Sequence, residues 1–227
     1  MAKMAMDNIT IKKIKGADKS VVTQIVNIHL ATFKGFFLTF MGRGFLSQMY
    51  KAYTKHNQSG IFIAEENGVV VGFLAYSEHM SGLYKYMIKH QLIQFAWYSL
   101  GAFLRNPKVF MRLIRAFLKP SESQRNEKYV ELASIGVHPD AKAKGIGSRL
   151  IDALKAEVDF EIFDYITLET DVVNNEAANK FYVKNGFRIV REYETNEGRK
   201  MYEYRYGGEQ RNEKTETSLH PECGKQS

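Results

Sequence analysis

The sequence predicts a mixed α/β fold, and three observations carry that prediction. Segments rich in β-branched and aromatic residues alternate with segments of helical period along most of the chain. Two pairs of strand-like segments, 61–64 with 69–76 and 187–194 with 199–206, are joined by short polar turns containing Gly68 and Gly198, the signature of antiparallel hairpins. One stretch, about 81–120, breaks the alternation and reads as a helical insertion between two strands.

The elements follow in order. Residues 9–14 form a first strand. Asp18 is placed to cap a helix running to about Phe33, with Val22, Ile25, Val26, Ile28 and Leu30 supplying much of its apolar face. A second helix spans 37–53, with a bend expected near Gly42 and Gly44. The hairpin 61–76 comes next, turning through Glu65-Glu66-Asn67-Gly68. Beyond the insertion, 129–137 is a strand, 148–158 a helix, 164–170 a strand and 176–185 a helix stopped by Gly186. The hairpin 187–206 closes the fold. Residues 207–227 are polar and without period, so a disordered tail is expected there. A single domain is expected over 1–206.

Bulk properties narrow the class. The chain has 227 residues, of which 44% are apolar and 25% charged, as in a soluble globular protein. Its lone cysteine, Cys223, excludes an intrachain disulfide and fits a reducing, cytoplasmic setting. The start of the chain carries no long apolar run of the kind a secretory signal needs. The net charge of +7 is concentrated in one place: Lys85, Lys89, Arg105, Lys108, Arg112, Arg115 and Lys119 fall within 79–120, which holds no Asp or Glu. The rest of the chain is formally neutral. The basic character therefore concerns the partners of that segment and not the fold.

Two motifs carry chemistry. In the first, the strand Glu131-Leu132-Ala133-Ser134-Ile135-Gly136-Val137 runs through His138-Pro139 into Lys142-Ala143-Lys144-Gly145-Ile146-Gly147-Ser148 and a helix. A glycine-bearing turn at a helix start aims several backbone N–H groups at one point beside the positive end of the helix dipole. That arrangement binds phosphate without a metal. The spacing is not that of a dinucleotide fold, which needs three glycines after an early βαβ unit. The second motif is Asn175-Glu-Ala-Ala178-Asn-Lys-Phe181-Tyr182-Val-Lys-Asn-Gly186-Phe187.

In this order and spacing the two motifs resemble those of the GCN5-related N-acetyltransferase (GNAT) superfamily. The resemblance covers 9–76 and 129–206 in element order and is specific from Glu131 to Phe187. The family's phosphate loop reads Gln/Arg-x-x-Gly-x-Gly/Ala. Here both glycines match, Lys142 replaces the usual Gln or Arg, and Ala143 stands where glycine is common. Neither change removes a backbone N–H. The second motif matches the family's Asn-x-x-Ala-x-x-(Phe/Leu)-Tyr-x-x-x-Gly-Phe at Asn175, Ala178, Phe181, Tyr182, Gly186 and Phe187.

The resemblance implies a GNAT-like α/β (α+β) architecture: a mixed, mostly antiparallel central sheet flanked by helices, here with the 81–120 insertion. It implies an enzyme that moves an acetyl or short acyl group from acetyl-CoA to an amine by direct attack in a ternary complex. It also implies where the parts lie. The backbone of Ile135 and Val137 pairs with the pantetheine arm. The amides of Lys142, Ala143, Lys144, Gly145, Ile146 and Gly147, with Ser148, hold the pyrophosphate. Asn175 bonds the pantetheine, caps its helix, or does both, and Tyr182 matches the family tyrosine that meets the sulfur and protonates the leaving thiolate. Glu131 is the first candidate base; Glu169 on the next strand, His138 and bulk water are alternatives. No Cys/His cluster points to a metal. The acceptor stays open: a small molecule, a sugar or a protein. No nucleic-acid module is recognisable. A non-catalytic acyl-CoA-binding or membrane-docking protein of the same fold is the competing class.

The insertion has no counterpart in the family's minimal core. Residues 91–104 are uncharged but too few to span a bilayer. Residues 107–118 read as an amphipathic helix, with Asn106 as cap and Pro107 in the first turn. Two helices packed on the core with basic outer faces, a lid over an anionic acceptor, a membrane-surface helix and a homodimer contact all remain open for this segment.

Overall fold

The structure is a computed structural model that describes residues 8–14, 16, 18–108, 111, 127–141, 145–195 and 198–207. Two compact units are distinguished, residues 1–126 with 130–158, and residues 127–129 with 159–227. Strands and helices alternate, and all the pairings detailed below are antiparallel, as expected for the mixed α/β class. The tail from 208 onward, most of the 107–118 segment and Lys142, Ala143 and Lys144 lie outside the described residues.

In the first unit, β1 (Ile9–Ile14), β2 (Ser59–Glu66), β3 (Val69–Ser77) and β4 (Tyr129–Val137) pair in that order. The β2–β3 turn puts Asn67 and Gly68 at φ 51 and 82, the left-handed pair that matches the twist of a two-residue hairpin. Helix α1 (Lys19–Thr32) starts where Asp18 accepts the Ser20 N–H at 2.7 Å. The expected helix over 37–53 is two helices, α2 (Phe37–Met41) and α3 (Arg43–Lys55). Gly42 separates them at φ 87 and ψ 176, a conformation outside the helix that a side chain resists.

The core forms where α1 and α3 bring Val22, Ile25, Val26, Leu46 and Tyr50 against Ile61, Ile63 and Phe73 of the sheet. Close approach is needed at two glycines. A Cβ on Gly136 would meet the Phe73 and Phe33 rings at 3.0 and 3.4 Å. A Cβ on Gly72 would meet Ile146 Cγ2 at 3.0 Å, so this glycine lets helix α5 (Ile146–Glu157) begin directly over β3. Leu150, Ile151 and Leu154 hold α5 in place, and Arg149 donates to the Ile9 carbonyl at 2.6 Å. Between β3 and β4 the register slips: Ala75 faces Ser134 and Tyr76 faces Leu132, leaving Ala133 as an extra residue. This is a β-bulge, which bends the strand carrying Glu131.

The insertion contributes α4 (Met80–Arg105), one helix of 26 residues. It packs on α3 through Leu83, Met87 and the Phe45–Phe95 ring contact at 4.7 Å. Gly44 of α3 admits the Tyr98 ring into space that a side chain would fill. No described helix is long and apolar enough to cross a membrane.

In the second unit, β5 (Tyr165–Asp171) pairs with β7 (Lys200–Tyr206), which pairs with β6 (Arg188–Glu194). Helix α6 (Glu176–Lys184) ends in a Schellman turn. Gly186 at φ 81 sends its N–H to the Val183 carbonyl, and Phe187 sends its own to Tyr182, both at about 3 Å. Tyr204 is fully buried on β7. Glu203 beside it is also buried, held by Arg191 at 3.1 Å and Arg205 at 3.0 Å.

Candidate active site

The glycine turn of the first motif lies in the first unit. β4 ends at Val137, whose carbonyl accepts the Thr32 hydroxyl at 3.2 Å. His138 ties its N–H to the Val71 carbonyl, and Pro139–Ala141 form one 3-10 turn. The chain then reaches Gly145, left-handed at φ 69 and ψ 10, and α5 begins. Gly145, the residue at the cap position, has no side chain with which to close that helix start. Gly145 is exposed, and a Cβ there would meet nothing within 4 Å, so its backbone faces open space. Gly147 and Ser148, in the first turn, are half-buried. A helix N-terminus reached through an exposed left-handed glycine presents donors and a positive dipole end to an anion.

Glu131 sits half-buried on β4, paired in register with Ser77. Its charge acts on the buried Tyr53 hydroxyl. Burial chiefly, then the neighbouring Tyr84, Glu131 and Tyr50, hold that phenol well above its ordinary pKa. Tyr53 therefore stays neutral beside Glu131. Ile135 and Val137 pair with Leu74 and Gly72 of β3.

Next to this strand lies a polar cluster that sequence reasoning did not single out. His29 Nδ1 is 2.7 Å from the Tyr50 hydroxyl, which also bonds Ser134 of β4. Both rings are buried, and His29 Nε2 has no hydrogen-bond partner among the described residues. Burial lowers the His29 pKa to about 4. The available signal was positional, since His29 continues the apolar series Val22, Ile25 and Val26 along one face of α1.

The low pKa of His29 has a consequence for stability. The unfolded chain takes up a proton near pH 6.5, whereas the folded chain resists it until about pH 4. Stability from this residue is thus complete above pH 6.5 and is lost as the pH falls toward 4. We expect denaturant unfolding to show about 2 kcal/mol lost between pH 7 and 5. Most of that pH dependence should vanish in His29→Phe. Equal losses in parent and variant would contradict the assignment.

The second motif lies in the second unit. Tyr182 on α6 is buried among Phe181, Phe187 and Tyr204, with ring centroids 5.4–6.1 Å away. Burial pushes its pKa up to about 12. The phenol thus keeps its proton across the working range. Asn175 stands at the head of α6 but does not cap it. Its side-chain amide donates to Thr170 Oγ1 at 2.7 Å and to the Asp171 carbonyl at 3.1 Å, tying α6 to the end of β5. Asn179 repeats this, donating to the Asp171 carbonyl at 3.2 Å and accepting the Tyr204 hydroxyl at 3.1 Å.

The alternative bases are differently placed. Glu169 accepts the Tyr193 hydroxyl at 2.6 Å and lies 3.7 Å from Arg191. His138 stands in the turn after β4, 3.6 Å from Asp140. Among the described residues no group of three or more His, Cys, Asp or Glu is placed to hold a metal ion.

Known proteins agree with this reading of the fold. The sequence profile of the acetyltransferase (GNAT) family matches residues 24–187. Among solved structures, yncA from Salmonella typhimurium, with its cofactor acetyl-CoA, aligns over 96% of this chain and 99% of its own at 16% identity and TM-score 0.55. An N-acetyltransferase from Staphylococcus aureus Mu50 aligns over 89% and 99% at 18% identity and TM-score 0.54. The ribosomal-protein-S18-alanine N-acetyltransferase of Escherichia coli aligns over 87% and 92% at 14% identity and TM-score 0.51. No curated protein sequence matches the chain. With the profile spanning most of the chain, and the glycine turn and the tyrosine helix both formed, the chain belongs to the GNAT family of acetyltransferases.

Proposed function

We propose that the protein transfers an acetyl group from acetyl-CoA to a primary amine by direct attack, with residues 1–206 working as one acyltransferase domain in the cytoplasm. The observation that carries this reading is the start of α5 at exposed, left-handed Gly145, where an added Cβ would meet nothing within 4 Å. In the proposal the amides from Lys142 to Gly147, with Ser148, take the pyrophosphate. The backbone of Ile135 and Val137 takes the pantetheine amides. Asn175, its amide nitrogen already engaged by β5, offers its side-chain oxygen to the same arm.

The chemistry needs a neutral amine, yet only about one lysine-like amine in 2,500 is neutral at pH 7. Glu131 accepts the proton that the attacking nitrogen loses, directly or through water. The nitrogen forms a bond to the thioester carbon and the carbon–sulfur bond breaks. Tyr182 steadies the sulfur as charge gathers there. Its pKa of about 12 makes it a donor that strengthens with the developing thiolate without giving up its proton at rest. Glu169, whose carboxylate accepts the Tyr193 hydroxyl and lies 3.7 Å from Arg191, is the alternative base.

Calorimetric titration with acetyl-CoA tests the first step. We expect saturable binding, and competition by desulfo-CoA, which keeps the pyrophosphate and lacks the sulfur. Absence of binding would remove the basis of the proposal.

A further inference from the structure

Helix α4 is apolar on two sides, and among the described residues only one of them is covered. Leu83, Met87, Gln91 and Ser99 form the buried side, which packs on α3. On another side, Ile93, Trp97, Leu100 and Leu104 recur at intervals of four, three and four, and so share one face. They are 81%, 72%, 47% and 71% exposed. A helix that is apolar all round is ordinarily buried all round. Four large side chains in one exposed row are also more than the scattered apolar residues of an ordinary surface.

Charge identifies what covers this face. Lys85 and Lys89 are exposed on the same helix, and the acid-free stretch extends from residue 79 to residue 120, with seven basic residues. A second copy would bring an equally basic stretch against the first, and repulsion would oppose the contact. An anionic lipid surface offers the opposite charge together with an apolar layer for the row. Trp97 and neighbouring Tyr98 are the residue types that settle at the boundary between headgroups and acyl chains. No described helix can cross a bilayer, so α4 would lie in the interface plane along its length of about 39 Å.

We propose that α4 docks the protein on anionic membranes, with Ile93, Trp97, Leu100 and Leu104 entering the lipid boundary. This does not depend on the acetyl-transfer reading, because neither face of α4 supplies a residue to it.

The chain contains a single tryptophan, and it lies in this row, so its emission reports directly on the contact. Full-length protein is mixed with phosphatidylcholine vesicles, with and without phosphatidylserine. With phosphatidylserine, Trp97 emission should shift to shorter wavelength and the protein should sediment with the vesicles. Both effects should fall at 1 M salt, where the Debye length is about 3 Å. The Ile93→Gln, Leu104→Gln double variant should partition at least about tenfold less, and its unchanged binding of acetyl-CoA would show that it folds. Several results overturn the proposal. One is the absence of a shift with anionic vesicles. Another is equal binding to neutral vesicles. A third is short-wavelength emission without lipid: if lost on dilution it assigns the face to a second copy, and if independent of dilution it assigns the cover to this chain itself. If the double variant does not fold, the lipid and salt dependence of the parent decides alone.

Discussion

The Gly145→Glu variant is expected to bind acetyl-CoA about 100-fold or more weakly than the parent, close to 2.7 kcal/mol. Steric conflict is not the reason, since a Cβ at 145 meets nothing within 4 Å. Two other effects add. The left-handed φ of 69 costs any side chain about 1 kcal/mol. The carboxylate then opposes the pyrophosphate at the end of α5, where one pair of like charges about 4 Å apart is worth up to about 4 kcal/mol at the protein surface. Gly145→Ala separates the effects, because it carries the strain without the charge and should lose less than tenfold. Calorimetry on both variants is the check. Parental affinity in a folded Gly145→Glu protein would mean that the anion does not approach this turn.

Replacing Glu131 with glutamine should lower turnover on an amine by about 100-fold or more at neutral pH. The loss should shrink as the pH rises, because the acceptor then loses its proton to solvent without help. Tyr182→Phe differs in kind. It should keep acetyl-CoA binding and lower turnover more modestly, because the ring remains and only one donor is lost. With the Tyr182 pKa at about 12, no alkaline limb from this residue should appear below about pH 11 in the parent. A pH–rate profile unchanged by Glu131→Gln would exclude it as the base. An alkaline limb near pH 9 that vanishes in Tyr182→Phe would contradict the role given to the phenol.

Much of this architecture is legible in the sequence, and the boundary follows the range of the interactions. Local rules sufficed where a few neighbours decide the outcome. Asp18 caps α1, Asn67 and Gly68 turn the first hairpin, and Gly186 stops α6. Gly42 was read as a bend and is a break, because its ψ of 176 leaves the helix altogether. Helix α4 was harder. Apolar residues on two of its sides blur the helical period, so the helix of 26 residues reads in the sequence only as an uncharged stretch, 91–104, within a helical insertion. The exposure of one of those sides is a property of packing that no local pattern carries.

At the candidate site, the glycine turn and the tyrosine helix could be found from spacing because backbone conformation ties their residues together. The Schellman turn gives part of the reason for the second motif: Gly186 and Phe187 return hydrogen bonds to the end of the helix that carries Tyr182. The pairing of His29 with Tyr50 and Ser134 joins three elements distant in sequence, and the burial of Glu203 between Arg191 and Arg205 joins the two strands of the last hairpin. Neither has a local signature. The bulge at Ala133 is likewise invisible until β3 supplies the register. For Asn175, two roles were left open, pantetheine bonding and helix capping. The side-chain nitrogen ties α6 to β5 and makes no capping bond, which leaves the oxygen for the pantetheine.

Release of free thiol from acetyl-CoA, followed across a panel of primary amines, tests the central claim most directly. The account predicts thiol release that depends on the amine, saturates with acetyl-CoA, and falls steeply in Glu131→Gln at neutral pH. Tight acetyl-CoA binding with no amine-dependent release from any member of a broad panel, protein N-termini and lysine side chains included, would contradict it and mark the fold as a binding module.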